Sequence, residues 1–415
     1  MEYYAIVTIL VVLSALFGYV NSRFFKLPIT IGLMVITLVF TLFIIAISQF
    51  DETLLLREKA FIGNIDFKSV LFDIMLSFLL FAGALHTNFE QLKVQRWPIL
   101  VFATIGVLVS TFLVGSIMFF VLQAINLQVD FIYCLLFGAL ISPTDPIAVL
   151  GILKQANAPK KLETKIVGES LFNDGVGVVV FLTILKIAEG GAEISFGHVA
   201  EMFVFEVLGG IALGLLLGWI TYRMMKSIDD YDVEVIITIA AVMGGTLLAQ
   251  KFHLSAPLAM VSCGLVVGND TIRSAAMSNI TETYVDKFWE LIDVLLNTIL
   301  FVLIGMEMLV LTFDSSYIVA GLLAVPIVLL CRYLSLWHPI KFFAKKLEFV
   351  PNTNLIMTWG GLRGGISIAL ALSLTHETYR ELFLVITYII VVFSIIGQGL
   401  TVGPLIKRLA KKEIQ

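Results

Sequence analysis

The sequence predicts an all-α polytopic membrane protein of about 13 transmembrane helices, built as two inverted six-helix repeats whose broken helices cross. Three observations lead there. Hydrophobic residues make up 59% of the 415 residues and charged residues only 14%, with a mean hydropathy of +1.00, far from the balance of a domain with a watery surface. Apolar stretches of the roughly 20 residues needed to span a core of about 30 Å recur along almost the whole chain. Two of these stretches, seven spans apart, are interrupted by helix-breaking residues.

Polar, basic or proline-bearing breaks give spans at roughly 4–20, 28–48, 70–86, 98–125, 131–153, 163–188, 199–225, 233–251, 256–268, 288–313, 317–338, 354–374 and 382–406. The first has no basic region before it and no small-residue cleavage site after it, so it is expected to be a retained helix. Between the eighth and ninth, His253 and Pro257 mark either a turn or a kink, and an error there would invert every later span. Basic residues check the count independently, because Lys and Arg concentrate in cytoplasmic loops. Loops after odd-numbered spans hold 19 of the 27, loops after even-numbered spans hold 6, and Arg332 and Arg363 fall inside spans. The amino terminus is therefore expected outside and the carboxyl terminus in the cytoplasm. The basic end, Lys407, Arg408, Lys411 and Lys412, belongs to that bias. A net charge of −4 says little about partners, and nucleic acid is not suggested. Cys134, Cys263 and Cys331 each lie in an apolar run and read as small buried side chains, with neither disulfide nor metal inferred.

The fifth span carries Ser142-Pro143-Thr144-Asp145-Pro146 and the twelfth Gly360-Gly361-Leu362-Arg363-Gly364-Gly365. An odd offset gives them opposite orientations, so spans one to six and eight to thirteen read as inverted repeats joined by the seventh. Paired broken helices point to a binding site at the midplane, although proline and glycine also serve simply to kink helices or let neighbours pack.

An ionisable group at mid-membrane costs about 2.5 kcal/mol or more on insertion scales, so it calls for a partner or a role. In the sixth span, Gly168-Glu169-Ser170-Leu171-Phe172-Asn173-Asp174-Gly175 sets Glu169 over Asn173 and Ser170 over Asp174 at a helical spacing of four. Four oxygen-bearing side chains on one face outline a cation site, and the broken fifth span adds backbone carbonyls near Thr144. A carboxylate in low dielectric has its charged form disfavoured and can take a proton in place of the cation. If only the loaded forms cross the membrane, competition for Asp174 couples the two fluxes. Arg363 is the available counter-charge, expected to pair with Glu169 and hold the two broken regions together without consuming Asp174. A generic buried salt bridge with no transport role is the alternative for that pair.

The strings Ser142-Pro143-Thr144-Asp145-Pro146, Glu169-Ser170-Leu171-Phe172-Asn173-Asp174-Gly175 and Gly361-Leu362-Arg363-Gly364-Gly365 resemble the signatures of monovalent cation:proton antiporters of the NhaP and sodium–proton exchanger type. The resemblance covers essentially the whole chain. It implies an NhaA-like antiporter fold and a homodimer in the cell membrane. A core bundle at about 98–188 and 317–409 would move against a dimerisation part at about 1–97 and 189–316. It further implies that Thr144, Glu169, Ser170 and Asp174 surround the transported Na⁺, Li⁺ or K⁺, with no cofactor. Asn173 and Asp145 would shape the crossing, and Arg363 would match the family arginine that pairs with the glutamate. Members with an Asn-Asp pair, as at Asn173-Asp174, resemble electroneutral exchangers, so one sodium for one proton is expected. The chain stops at Gln415 with no long cytoplasmic tail, from which a prokaryotic exchanger of the inner membrane is expected.

Asp73, Glu206, Glu234, Glu307 and Arg332 also fall within spans and read first as structural, with lining the ion pathway as the alternative. His86, His198, His253, His338 and His376 lie near span ends or in loops and read as surface residues. Three rival classes remain. An intramembrane aspartyl enzyme would use Asp145 and Asp174 as a dyad sharing a proton, but Asp145 sits at a helix break and an arginine is at hand. A channel would need a continuous pore, whereas crossed broken helices with carboxylates favour alternating access. A receptor would need an extended soluble region to bind a partner.

Overall fold

The computed structural model describes residues 2–48, 70–156, 158–189, 196–269, 272–273, 276–308, 314–345, 347, 349–375 and 379–410, and among these every regular element is helical. Two amino-terminal helices, α1 (Glu2–Val20) and α2 (Ile29–Ser48), are followed by α3 (Leu76–Leu85), the short α4 (Phe89–Val94) and the long α5 (Arg96–Ala124). The chain then forms α6 (Phe131–Ile141), α7 (Pro146–Gln155), α8 (Lys160–Ala188), α9 (Phe196–Met225), α10 (Tyr231–Lys251) and α11 (Ala256–Val267). Next come α12 (Asn279–Glu307), α13 (Ser315–Phe343), α14 (Thr353–Gly360), α15 (Gly365–Leu372) and α16 (Arg380–Leu409).

Each expected span coincides with a helix or a pair of helices. Among the described residues nine helices are long and apolar enough to cross a membrane, and a tenth crossing results if α14 and α15, bent by 51° at their break, count as one. The shorter apolar helices α3, α6 and α11 fall below the roughly 20 residues that a crossing needs. Length thus supports nine or ten crossings, and thirteen remains an expectation. The choice between turn and kink near His253 falls to the turn. His253 takes a left-handed φ of 54°, and the Ser255 side chain then caps α11 by accepting from Leu258 N–H, with Pro257 in the first helical turn.

Two packed clusters organise the bundle. The larger is shared by α2, α5, α6, α8, α12, α13, α15 and α16, and the smaller gathers Phe81, Met260 and Cys263 around the buried Trp289, whose indole N–H donates to Thr238 Oγ1 at 2.9 Å. Outward faces of α1, α9 and α10 expose Tyr4, Leu16, Leu215, Trp219 and Leu247, as helices solvated by lipid do. The side chains of Asp73, His198 and Glu307, and the whole of His376, lie outside the described residues.

The breaks that matter for the site are held by close helix packing. Gly138 of α6 faces α5 so tightly that a Cβ there would land on the backbone carbonyl oxygen of Thr111, whereas a Cβ on Gly151 of α7 would meet nothing within 4 Å. Gly138→Ala is expected to lower the unfolding midpoint of the detergent-solubilised protein, at about 1–3 kcal/mol of overpacking. Gly151→Ala, which only removes glycine from a helix interior, is expected not to lower it. Thermal unfolding of the two variants beside the parent checks both.

Candidate functional site

Residues 142–145 separate α6 from α7, and residues 361–364 separate α14 from α15. The two breaks meet. Asp145 N–H donates to Leu362 C=O at 2.8 Å, and Gly364 lies so close to the Asp145 carboxylate that any side chain there would collide with it. Each break frees backbone groups that lipid cannot satisfy, and side chains from neighbouring helices take them up. On the first break, Thr144 N–H donates to Asn173 Oδ1 at 3.2 Å and Asn173 Nδ2 donates to Thr144 Oγ1 at 2.9 Å, so the Asn173 amide is consumed by one residue. Thr144 Oγ1 is also hydrogen-bonded to Ser170 Oγ at 2.8 Å, with either hydroxyl able to donate. On the second break, Arg363 N–H donates to Ser394 Oγ at 2.8 Å and Gln398 Nε2 donates to Trp359 C=O at 2.9 Å. Ser394 and Gln398 belong to a π-helical turn, Phe393–Gln398, within α16.

The arginines depart from expectation. Glu169 pairs with Arg332 of α13, not with Arg363: the contact is bidentate, with Nη2 to Oε2 at 2.8 Å, and both side chains are almost fully buried. Arg363 instead donates through Nη1 to the carbonyl oxygens of Ser142 and, at 2.7 Å, Pro143. The reason is local. The broken fifth span leaves two carbonyls pointing into the crossing with no helical donor, and Arg363 reaches them from the facing break. Glu169, at the start of the Glu169–Gly175 string on α8, looks the other way, onto α13. Arg363 therefore does hold the broken regions together, but through backbone and not through Glu169.

Of the expected site residues, Thr144, Asp145 and Asp174 line a narrow cavity of about 40 Å³ at the crossing, together with Pro143, Gly83, Leu300 and Gly364 to Ser367. A water needs about 10–15 Å³ of such space, so the cavity has room for about three water-sized occupants. Asp174 is 3% exposed and within electrostatic reach of both Asp145 and Arg363. Ser170 and Asn173 stand behind Thr144, and Glu169 stands farther back with Arg332. Among the described residues no three His, Cys, Asp or Glu side chains converge as a metal cluster.

Among the cavity residues that the sequence reading passed over is an amide. Asn297 of α12 lines the same cavity and donates through Nδ2 to Asp293 C=O and Asp293 Oδ1, at 2.8 and 3.0 Å. A signal existed, since Asp293 and Asn297 stand four apart inside an apolar stretch. Of the other charged span residues, Glu206 pairs with Lys186 at 3.3 Å, and Glu234 accepts from Asp230 N–H at 3.3 Å at the start of α10. Both are structural contacts.

The family model described as sodium/hydrogen exchanger, transmembrane, matches residues 11–408. The chain is 49% identical over 409 residues to the Na(+)/H(+) antiporter NhaP of Pseudomonas aeruginosa, spanning 97% of this chain and 96% of that one. It is 32% identical to the Na(+)/H(+) antiporter NhaH of Halobacillus dabanensis, over 94% and 93% of the two chains. Its fold matches the structure of the sodium proton antiporter MjNhaP1 from Methanocaldococcus jannaschii with a TM-score of 0.77, 21% identity, and coverage of 99% of this chain and 100% of the other.

The ion pair makes a stability prediction. Arg332→Met is expected to destabilise the protein by about 3–5 kcal/mol, because it leaves a buried carboxylate unpaired, and adding Glu169→Met is expected to recover most of that loss. Arg363→Met strands the neutral carbonyls of Ser142 and Pro143 and breaks no ion pair among the described residues, at about 1–3 kcal/mol. Denaturant unfolding in detergent measures all three.

Proposed function

We propose that this chain, which belongs to the transmembrane sodium/hydrogen exchanger family, exchanges sodium ions for protons across a cell membrane by letting the two compete for Asp174. The observation that carries the reading is a buried carboxylate lining a small cavity where two broken helices cross. Such a carboxylate is stable when it holds either a proton or a cation, and costly when it holds neither. The empty, charged state is therefore the one least able to cross, which couples the fluxes. No covalent chemistry is needed, and a transporter rather than an enzyme accounts for Asp145, whose backbone is engaged at the crossing.

Thr144 and Asp174 supply oxygens to the ion from the cavity wall. Ser170 reaches the site through its hydrogen bond to the Thr144 hydroxyl, and Asn173 keeps Thr144 in place. Glu169, with both oxygens engaged by Arg332, serves the frame on which the crossing rests and is moved from the ligands to the supports. Because Asn173 is neutral and fully engaged, only the neighbouring Asp174 titrates at that pair, in keeping with one sodium for one proton. Lithium and potassium are carried by the same oxygens to the extent that the cavity fits them. The core part, about 98–188 and 317–409, moves against the part at about 1–97 and 189–316, which forms a homodimer. The amino terminus is outside and the carboxyl terminus in the cytoplasm, on the distribution of basic residues.

Proteoliposomes with an imposed pH gradient and an internal pH dye test this. Adding Na⁺ outside is expected to drive proton movement that persists unchanged under a valinomycin clamp and is abolished by Asp174→Ala. Full exchange by Asp174→Ala protein, or no cation-dependent proton movement in correctly inserted wild type, overturns the reading.

A further inference from the structure

We infer that Asn297 is a direct ligand of the transported cation, contributing its side-chain carbonyl oxygen from α12, and that Asp293 is the residue that orients it. This rests on the reading of the Asp174 cavity as the cation site. Asn297 is 4% exposed, in the middle of a membrane-spanning helix, and it lines the cavity with Thr144 and Asp174. Its amide nitrogen is committed to Asp293, donating to both the backbone carbonyl and the carboxylate. That commitment fixes which way the amide points, because the reversed assignment would set Oδ1 against two acceptor oxygens. The remaining atom, Oδ1, is buried with no hydrogen-bond partner among the described residues.

An acceptor oxygen left bare inside a membrane protein is costly unless something positive comes to it. Two features say what comes. Leu300, on the same face of α12 three residues further on, packs against Gly365 at the start of α15, so this face of α12 is applied to the crossing itself. Asp293 lies within electrostatic reach of Asp145, so the region around the cavity carries Asp145, Asp174 and Asp293, while Arg332 is spent on Glu169 and Arg363 is turned to the carbonyls of Ser142 and Pro143. The cavity wall then offers the Asp174 and Asp145 carboxylates, a hydroxyl and an amide oxygen, a hard-oxygen set of the kind that a small cation takes. The ligand set then bridges α12 and the crossed helices. Any movement of the crossing relative to α12 withdraws one oxygen from the ion, which lowers affinity as the site changes its exposure.

The test compares wild type, Asn297→Ala and Asn297→Ser in two measurements. Initial rates of proton movement in proteoliposomes give the Na⁺ concentration at half-maximal rate. Thermal unfolding in detergent at increasing Na⁺ gives the concentration at half-maximal stabilisation without requiring transport. Asn297→Ala is expected to raise both by about tenfold, with Asn297→Ser between it and wild type because a hydroxyl restores an oxygen. Asp293→Leu, which frees the amide to rotate, is expected to raise them as well. Half-saturation unchanged from wild type in Asn297→Ala, or a lower maximal rate at unchanged half-saturation, overturns the inference. If wild type itself shows no Na⁺-dependent proton movement, the proposed function fails instead, and the two failures are distinct.

Discussion

The hydrocarbon core of a bilayer offers no water to a backbone, so a helix that breaks there must find donors and acceptors within the protein for every group it releases. Two helices of this chain break at the same place, and almost everything near the site follows from satisfying them. They hydrogen-bond to each other through Asp145 and Leu362. Arg363 gathers the carbonyls of Ser142 and Pro143, Asn173 closes on Thr144, and Ser394 and Gln398 serve the other break. The close approach admits no side chain at Gly364. A π-helical turn in α16 is the local adjustment around the two donors and acceptors that face the second break.

Once the backbone is satisfied, the charges sort themselves. Glu169 and Arg332 neutralise each other out of contact with the cavity, and Asn173 contributes dipoles without a proton. Asp174 is left on the cavity wall with Asp145 beside it. In the proposed exchange this division is what makes one carboxylate sensitive to both substrates: the frame holds its shape whichever occupant is bound, because none of its contacts involves the competing group. The arrangement also sets the buried ion pair that most affects stability, Glu169–Arg332, apart from Asp174 on the cavity wall.

Much of this was legible in the sequence. Hydropathy placed a helix or helix pair at each expected span, because a span in lipid has to be apolar along its length, while the short α4 between two spans went unseen; the breaks at 142–146 and 360–365 stood out because proline and glycine runs are conspicuous against that background. Thr144, Asp145 and Asp174 line the cavity, as spacing on α8 and the position of the first break suggested. Partner choice was less legible. Glu169 had two buried arginines to choose from, Arg332 and Arg363, and helical periodicity gives the face of a residue but not the helix that packs on it. The proline break, rather than any charge, decided the matter by presenting two bare carbonyls to Arg363. Asn297 was overlooked for a related reason: a neutral amide in an apolar helix draws no attention until the fold puts it on the cavity wall with its oxygen unpaired among the described residues.

The claim that proton and sodium compete for one carboxylate at the crossing can be tested without a membrane. Weakly buffered, detergent-solubilised protein at a pH where Asp174 is protonated is titrated with Na⁺ while proton release is recorded, alongside Asp174→Asn protein. The account predicts close to one proton released per sodium bound by wild type and none by the variant. Sodium binding without proton release in wild type, or equal release from the variant, would contradict it.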